Sequence, residues 1–494
     1  MVIVSIIRPF CFFSSIHCFL PSLSTMTNIM TSASARVVSA AQQDARAPKQ
    51  RTLYQLPSKV ISSYAPAPDA EKIASEIRDG VNVVNWFTAH FNTTVSAGKK
   101  IDIKIDPSRD IAEIVKIAEV HPEVAHILCF GGWNAPHLEA SVTTADGEKI
   151  WLTGKEYFDA FESWNADLQH KYPGFRGFDG VDWDYEGASW KSETNTFPRE
   201  VLDIVGELSV LLKQNNYLVT MAPAQSYLDC TCLVEEVGGD KTSSQRATGG
   251  DGIAPAAQQE QEADENHTHA GTIIPECEFS FSLELPPWPK DWHPEFLHHG
   301  RNAYAYWLGK YGKTVIEREG ADGSRVVTHP VPVFDLISIQ LYEGKAHADY
   351  AVSVLKMPTR RYLEDLGEQY RKGYYITVPA GTAKGEPVPA EKLLVQIPSQ
   401  NLLWGFAFGK NSAGDFLVED FDNALRGLDV RGGMFWNMEI DGTGIETDDK
   451  SDPSKFLHIA KAMRHALQIE VEPDEVDAEA IAFSEHNKGA NIVT

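Results

Sequence analysis

The chain has 494 residues, 43% of them hydrophobic and 23% charged, with a formal net charge of -25 at pH 7. This is a globular composition. The negative balance argues against a nucleic-acid binder, because phosphate contacts need a basic surface. The length suits either several average domains or one large barrel with insertions.

The first 43 residues contain no Asp or Glu. The run MVIVSIIRPFCFFSSIHCFLPSLS is apolar but is interrupted by Arg8 and Pro9, and a small-residue SASA stretch ends at Ala35. Residues 1–50 read as a secretory signal or, alternatively, an organelle transit peptide, followed by a disordered leader. Secretory-pathway or extracellular localisation follows, with an organelle as the alternative. Met26 is a second candidate start. No run reads as a membrane span. Sequons at Asn92 and Asn266 matter only in the secretory pathway. Six cysteines are too few for a disulfide scaffold. Cys129 reads as a buried thiol, while Cys277 can pair with Cys230 or Cys232 if the compartment oxidises.

From residue 57 the chain alternates β-rich runs with helical patterns. Strands are expected at 59–66, 81–87, 126–132, 177–186, 217–223, 334–342, 392–398 and 432–438. Helices are expected at 69–80, 110–122, 154–172, 198–216 and 452–467, the first closed by Gly80 and the fourth opened by Pro198. The strands are near-continuous apolar runs, as in a parallel sheet buried on both faces. Eight βα units in series point to an α/β fold, a (β/α)8 TIM barrel, with a doubly wound sheet as the structural alternative. No GxGxxG turn follows a strand, which weighs against a dinucleotide site.

Residues 234–275 are polar, rich in Gly, Ala, Gln and Glu, and read as a disordered insertion after strand 5. His267 and His269 within it read as solvated, so no metal is expected there. Residues 469–494 read as an acidic disordered tail.

The segment GFDGVDWDYEG, residues 177–187, carries four acids. Alternate residues of a strand share a face, so Asp182, Asp184 and Glu186 point one way and Asp179 the other. Glu186 comes last, near the C-terminal end of its strand, where barrels carry catalytic groups. Adjacent carboxylates raise one another's pKa, so one of them is expected to hold a proton near neutrality and serve as a general acid. The stretch 182–193 partly mimics a calcium loop. Its entering segment is strand-like rather than helical, and no metal or other cofactor is expected. A solvated edge strand is disfavoured by the interleaved Phe, Val, Trp and Tyr.

DGVDWDYE, residues 179–186, matches DGxDxDxE in full, and the chain thereby resembles glycoside hydrolase family 18, the chitinases and endo-β-N-acetylglucosaminidases. Weaker matches follow in family order. CFGG at 129–132 resembles SxGG, with Cys129 in place of Ser. MAP at 221–223 looks like the family's strand-5 segment. QLYE at 340–343 resembles QxYN or MxYD, with Glu343 where Asn or Asp is usual. GGMFWNMEIDG at 432–442 resembles the strand that bears the family's floor tryptophan. The likeness covers residues 57–468, a catalytic barrel.

The resemblance implies a substrate-assisted retaining mechanism, an exception to the two-carboxylate scheme. Glu186 would protonate the glycosidic oxygen, Asp184 would orient the substrate's acetamide, and Asp182 would share a proton with Asp184. Tyr342 would bond the acetamide oxygen and Trp436 would floor the sugar pocket. Met221, Gln340 and Glu343 stand at sugar-contact positions, while Asp179, Gly131 and Gly132 would be structural. Trp133, after the glycine pair, is a further stacking candidate, with Trp288, Trp292 and Trp307 behind it. The implied partner is chitin or a chitooligosaccharide and the implied state a monomer. An endo-β-N-acetylglucosaminidase acting on N-glycan cores and a non-catalytic chitin-binding lectin are the alternatives. Lectin-like relatives typically lack the acid, which here is present as Glu186.

Overall fold

A computed structural model describes residues 53–95, 100–107, 109–133, 135–186, 197–228, 276–277, 303–319, 325–327, 330–342, 346, 348, 351–352, 355–407, 421–442 and 458–470. All of them fall in one unit, Thr52–Thr494. The leader, the 234–275 insertion and residues 471–494 of the tail lie outside the described residues. So do Cys230, Cys232, Trp288, Trp292 and Glu343, and the second half of the calcium-like stretch.

Among the described residues, eight barrel strands alternate with eight helices: β1 Val60–Ala65, α1 Ala70–Arg78, β2 Val83–Thr94, α2 Ile111–Val120, β3 Ala125–Gly132, α3 Gly154–Lys171, β4 Gly180–Tyr185, α4 Arg199–Gln214, β5 Leu218–Met221, α5 Ala303–Tyr311, β6 Leu336–Gln340, α6 Thr359–Lys372, β7 Leu402–Ala407, α7 Phe421–Leu425, β8 Gly432–Trp436 and α8 Ile459–Leu467. Each strand pairs in parallel with the next, and β1 pairs with both β2 and β8, which closes the sheet. The fold is a (β/α)8 TIM barrel. The doubly wound alternative is excluded by the β1–β8 ladder, Val60↔Gly432 to Ser63↔Phe435.

Local chemistry sets the helix starts. Asp69 and Asp110 accept the Lys72 and Ala112 backbone N–H groups at the heads of α1 and α2. Thr153 and Glu156 form a reciprocal capping box on α3. Helices α5, α6 and α7 were not anticipated from the sequence.

Strand parity divides the barrel into two buried layers. Val60, Tyr64, Ile127, Cys129, Leu218, Ala222, Leu336, Leu403 and Met434 pack together in the lumen. Alternate residues such as Ile61, Leu128, Trp183, Val219, Ile337 and Trp404 pack outward with the helices. Leu53, Tyr54 and Leu56 pack against the lumen cluster. They do so beside the N-terminal ends of the strands, where Tyr54 donates to the Glu123 carbonyl at 2.5 Å and Arg431 to the Leu56 carbonyl at 3.1 Å. That end is thereby closed. At the other end β2 outgrows the barrel: its register slips between Trp86 and Ala89, and it continues as a hairpin with Lys100–Ile105.

The seventh strand is a correction. The expected segment, 392–398, lies in a small antiparallel sheet in which Glu391–Val395 pairs with Tyr374–Val378, itself paired with Glu276–Cys277. The barrel strand is Leu402–Ala407, paired in parallel with β6 and β8. Its side chains are buried throughout, whereas Glu391–Val395 alternates between covered and exposed positions. Of the weaker stacking candidates, Trp307 is described. Its side chain is fully buried on α5 and its indole donates to the Leu202 carbonyl at 2.9 Å, so it is core and not a sugar platform.

The two segments differ in what truncation costs. Trp404 is fully buried, and a Cβ on Gly367 of α6 would lie 3.5 Å from its ring. Trp404→Ala is expected to destabilise the protein by about 3–5 kcal/mol in urea denaturation. Leu394→Ala, at a side chain 45% exposed, is expected to change stability by no more than about 0.5 kcal/mol. Equal losses would contradict the assignment.

Candidate active site

β4 aligns its acids along the lumen. The Asp182 carboxylate, only 1% exposed, accepts the Tyr64 hydroxyl of β1 at 2.8 Å and the Thr220 hydroxyl of β5 at 2.5 Å. Cys129 of β3 stands in register with it, and its thiol adds a third donor. Burial raises the Asp182 pKa, and the bonds from Thr220, Tyr64 and Cys129 pull it part of the way back. Burial also pushes up the Tyr64 hydroxyl and the Cys129 thiol, as do the neighbouring charges of Asp182 and Asp184. Both groups therefore stay protonated and remain donors.

One step up the strand, the Asp184 carboxylate accepts from the Gln340 amide at 2.9 Å, and the same nitrogen donates to the Ala222 carbonyl at 2.8 Å. Gln340, expected as a sugar contact, thus reaches the acid row itself. Glu186 follows the last residue of β4 with the same parity and is 7% exposed. His137, from the connection between β3 and α3, bonds the Glu186 backbone carbonyl at 2.8 Å.

Aromatic groups surround the acids. Tyr342, just past β6, is buried in the lumen cluster. Trp436, the last residue of β8, is partly exposed. Its ring lies 5.2 Å from Tyr64 and 4.9 Å, edge-on, from Phe87. The Phe87–Thr88 and Trp436–Asn437 peptide bonds are cis. Trp133 is 53% exposed immediately after Gly132 at the end of β3.

The glycine pair is required by close approach. Gly131 and Gly132 have φ of +116° and +101°. A Cβ at Gly131 would meet the Asp184 backbone carbonyl inside van der Waals contact, and one at Gly132 would meet the Phe87 ring. Asp179 sits below the acid row. Its carboxylate accepts the Arg176 guanidinium at 2.6 Å and 2.9 Å and the His126 backbone N–H at 2.9 Å, which ties the entries of β3 and β4 together.

Met221 is not brought to the lumen. It packs with Val219 and Trp183 in the outer layer, whereas Thr220 and Ala222 on either side face inward. Tyr64, Thr220 and His137 were not anticipated. They carry no local motif, and only the barrel register brings them to the acids.

No protein-family model matches the chain, and no curated protein does. Among solved structures, a glycoside hydrolase family 18 chitinase from Pseudoalteromonas aurantia aligns over 83% of this chain and 100% of its own, at 13% identity and a TM-score of 0.34. The Ostrinia furnacalis Group IV chitinase in complex with allosamidin aligns over 83% and 99%, at 11% identity and a TM-score of 0.31. An immunomodulatory active chitinase from Trichuris suis aligns over 83% and 99%, at 11% identity and a TM-score of 0.31. At such scores these likenesses carry no argument about activity, which rests on the residues of this chain.

The raised Asp182 pKa has a definite sign for stability. The native state binds the proton more tightly than the unfolded chain, so this group's contribution is present below its unfolded pKa and is lost as pH rises through the folded one. Asp182→Asn, which cannot ionise, is expected to match the wild type in acid, to gain on it as pH rises from the unfolded pKa through the folded one, and to hold that gain above it. Denaturation midpoints across a pH series check this; parallel curves would contradict it.

Proposed function

We propose that the chain is a glycoside hydrolase that cleaves β-1,4-linked N-acetylglucosamine chains, chitin or its oligosaccharides, by a substrate-assisted retaining mechanism. The observation that carries this reading is the row Asp182, Asp184, Glu186 on one face of β4, with its lowest member clamped by two hydroxyls and its highest at the strand's end. That row belongs to a complete DGxDxDxE match at 179–186, which supports the reading.

The roles are those that the DGxDxDxE resemblance implies. Glu186 gives its proton to the glycosidic oxygen as the bond from C1 to that oxygen breaks. The substrate's own acetamide oxygen attacks C1 from the opposite face and closes an oxazolinium ring. Such an internal nucleophile has an effective molarity on the order of 10⁵–10⁸ M when it is held in place. Asp184 accepts the acetamide N–H and faces the positive charge that develops on the ring. Asp182, whose folded environment favours its protonated form, donates toward Asp184 and offsets the repulsion between them. Tyr342 bonds the acetamide oxygen, and Trp436 lies under the sugar ring. The Glu186 carboxylate then takes a proton from water, which opens the oxazolinium at C1.

Glu186→Gln is expected to lower turnover of chitohexaose by about 10²–10⁴-fold while oligosaccharide binding persists, because the shape survives and the proton does not. Activity and calorimetric binding on the same preparation check this. Near-normal turnover in the variant would overturn the role of Glu186. Release of sugar from a high-mannose glycoprotein, with chitohexaose left intact, would move the substrate to N-glycan cores.

A further inference from the structure

β4 outlasts the ladders on both of its sides, and the residue proposed as proton donor stands on the overhang. Toward β5, the Asp179 carbonyl takes the Leu218 N–H and the Trp183 carbonyl takes the Ala222 N–H, both at 2.9 Å. The next carbonyl on that side belongs to Tyr185, but the chain beyond Ala222 turns away, and Ala224 bridges to Gln340 instead. The Tyr304 hydroxyl, reaching in from α5, occupies the missing rung: it donates to the Tyr185 carbonyl at 2.9 Å and lies 3.2 Å from that of Trp183. Toward β3, pairing ends at Gly132↔Tyr185, one residue short of Glu186. There the His137 ring takes over. Its Nε2 lies 2.8 Å from the Glu186 carbonyl, and since a carbonyl only accepts, that nitrogen carries the hydrogen.

Both side chains are themselves fixed. His137 is buried, with ring centroids 4.6 Å from Tyr185 and 4.4 Å from Phe197. Tyr304 is fully buried, 4.7 Å from Trp307 in an edge-to-face contact and 5.4 Å from Tyr227. Buried backbone carbonyls need hydrogen-bond partners, and these two side chains supply them where the ladders stop. We infer that His137 and Tyr304 are positioning residues that replace the missing rungs of the barrel and hold the Glu186 backbone at the height its proton transfer requires. This role rests on Glu186 as the proton donor proposed above.

The test uses His137→Phe and Tyr304→Phe, which keep the ring contacts and remove only the donors. Tyr306→Phe is the control: it removes a buried hydroxyl of the same helix that bonds Asp203 at 2.6 Å, away from β4. On chitohexaose, both test variants are expected to lose about 10- to 100-fold in kcat, with KM within about 2-fold of wild type. In the uncomplexed full chain, the peptide spanning 180–186 is expected to exchange its amide hydrogens faster in both. The control is expected to leave kcat, KM and that peptide unchanged. Unchanged kcat and exchange in the test variants, or equal losses in the control, would overturn the inference. A wild type that leaves N-acetylglucosamine oligomers uncleaved would remove the proposed function, and the exchange data would still decide whether the two donors anchor the strand end.

Discussion

The site depends on keeping an acidic side chain buried inside the barrel. Asp182 sits in the lumen with almost no contact with water, and its neighbour two residues on is another acid. An unpaired buried carboxylate costs several kcal/mol, so the chain must bond it or keep it neutral. It does some of both. Tyr64 and Thr220 come from strands at different points around the barrel, and each offers a hydroxyl whose geometry the ladders fix. Burial raises the Asp182 pKa, and the bonds from Thr220, Tyr64 and Cys129 hold it part of the way down. The acids of the row are bonded from other strands: Asp182 by the Tyr64 and Thr220 hydroxyls, and Asp184 by the Gln340 amide.

That row needs room above it and close packing beside it. The left-handed backbone at Gly131 and Gly132 lets β3 press against the Asp184 carbonyl and lets the Phe87 ring approach from β2. Phe87 then meets the Trp436 ring edge-on, which links that indole to the packing beside the acid row. At the closed end, Asp179 and Arg176 tie down the entry to the same strand, and Leu53, Tyr54 and Leu56 cover the lumen there. β4 is thus anchored below by an ion pair, in the middle by hydroxyls, and at its overhang by His137 and Tyr304.

Much of this was legible in the sequence and some was not, for physical reasons. Strand parity alone separates Asp179 from Asp182, Asp184 and Glu186, because a period of two is fixed by covalent geometry. Seven of the barrel strands are apolar runs bounded by turns or helix starts, and they read correctly. The seventh in order did not, because KLLVQIP is apolar, lacks glycine and ends at Pro398, whereas the true strand LLWGFA carries Gly405 in its middle. Composition cannot separate a half-covered antiparallel strand from a fully buried parallel one. Met221 was expected to touch sugar from its motif; its parity, visible only once Thr220 is seen bonding Asp182, turns it toward the helices. Tyr64, Thr220, His137 and Tyr304 are unremarkable letters at separations set by barrel register and helix packing. No local pattern encodes those.

If the acetamide of the substrate is the nucleophile, C1 inverts twice, once when the oxazolinium closes and once when water opens it. The most direct test is the anomeric configuration of the first product from chitohexaose, read by NMR immediately after cleavage and before mutarotation. A β-anomer is the expected result. An initial α-anomer would contradict substrate-assisted retention and, with it, the roles given to Asp184 and Glu186.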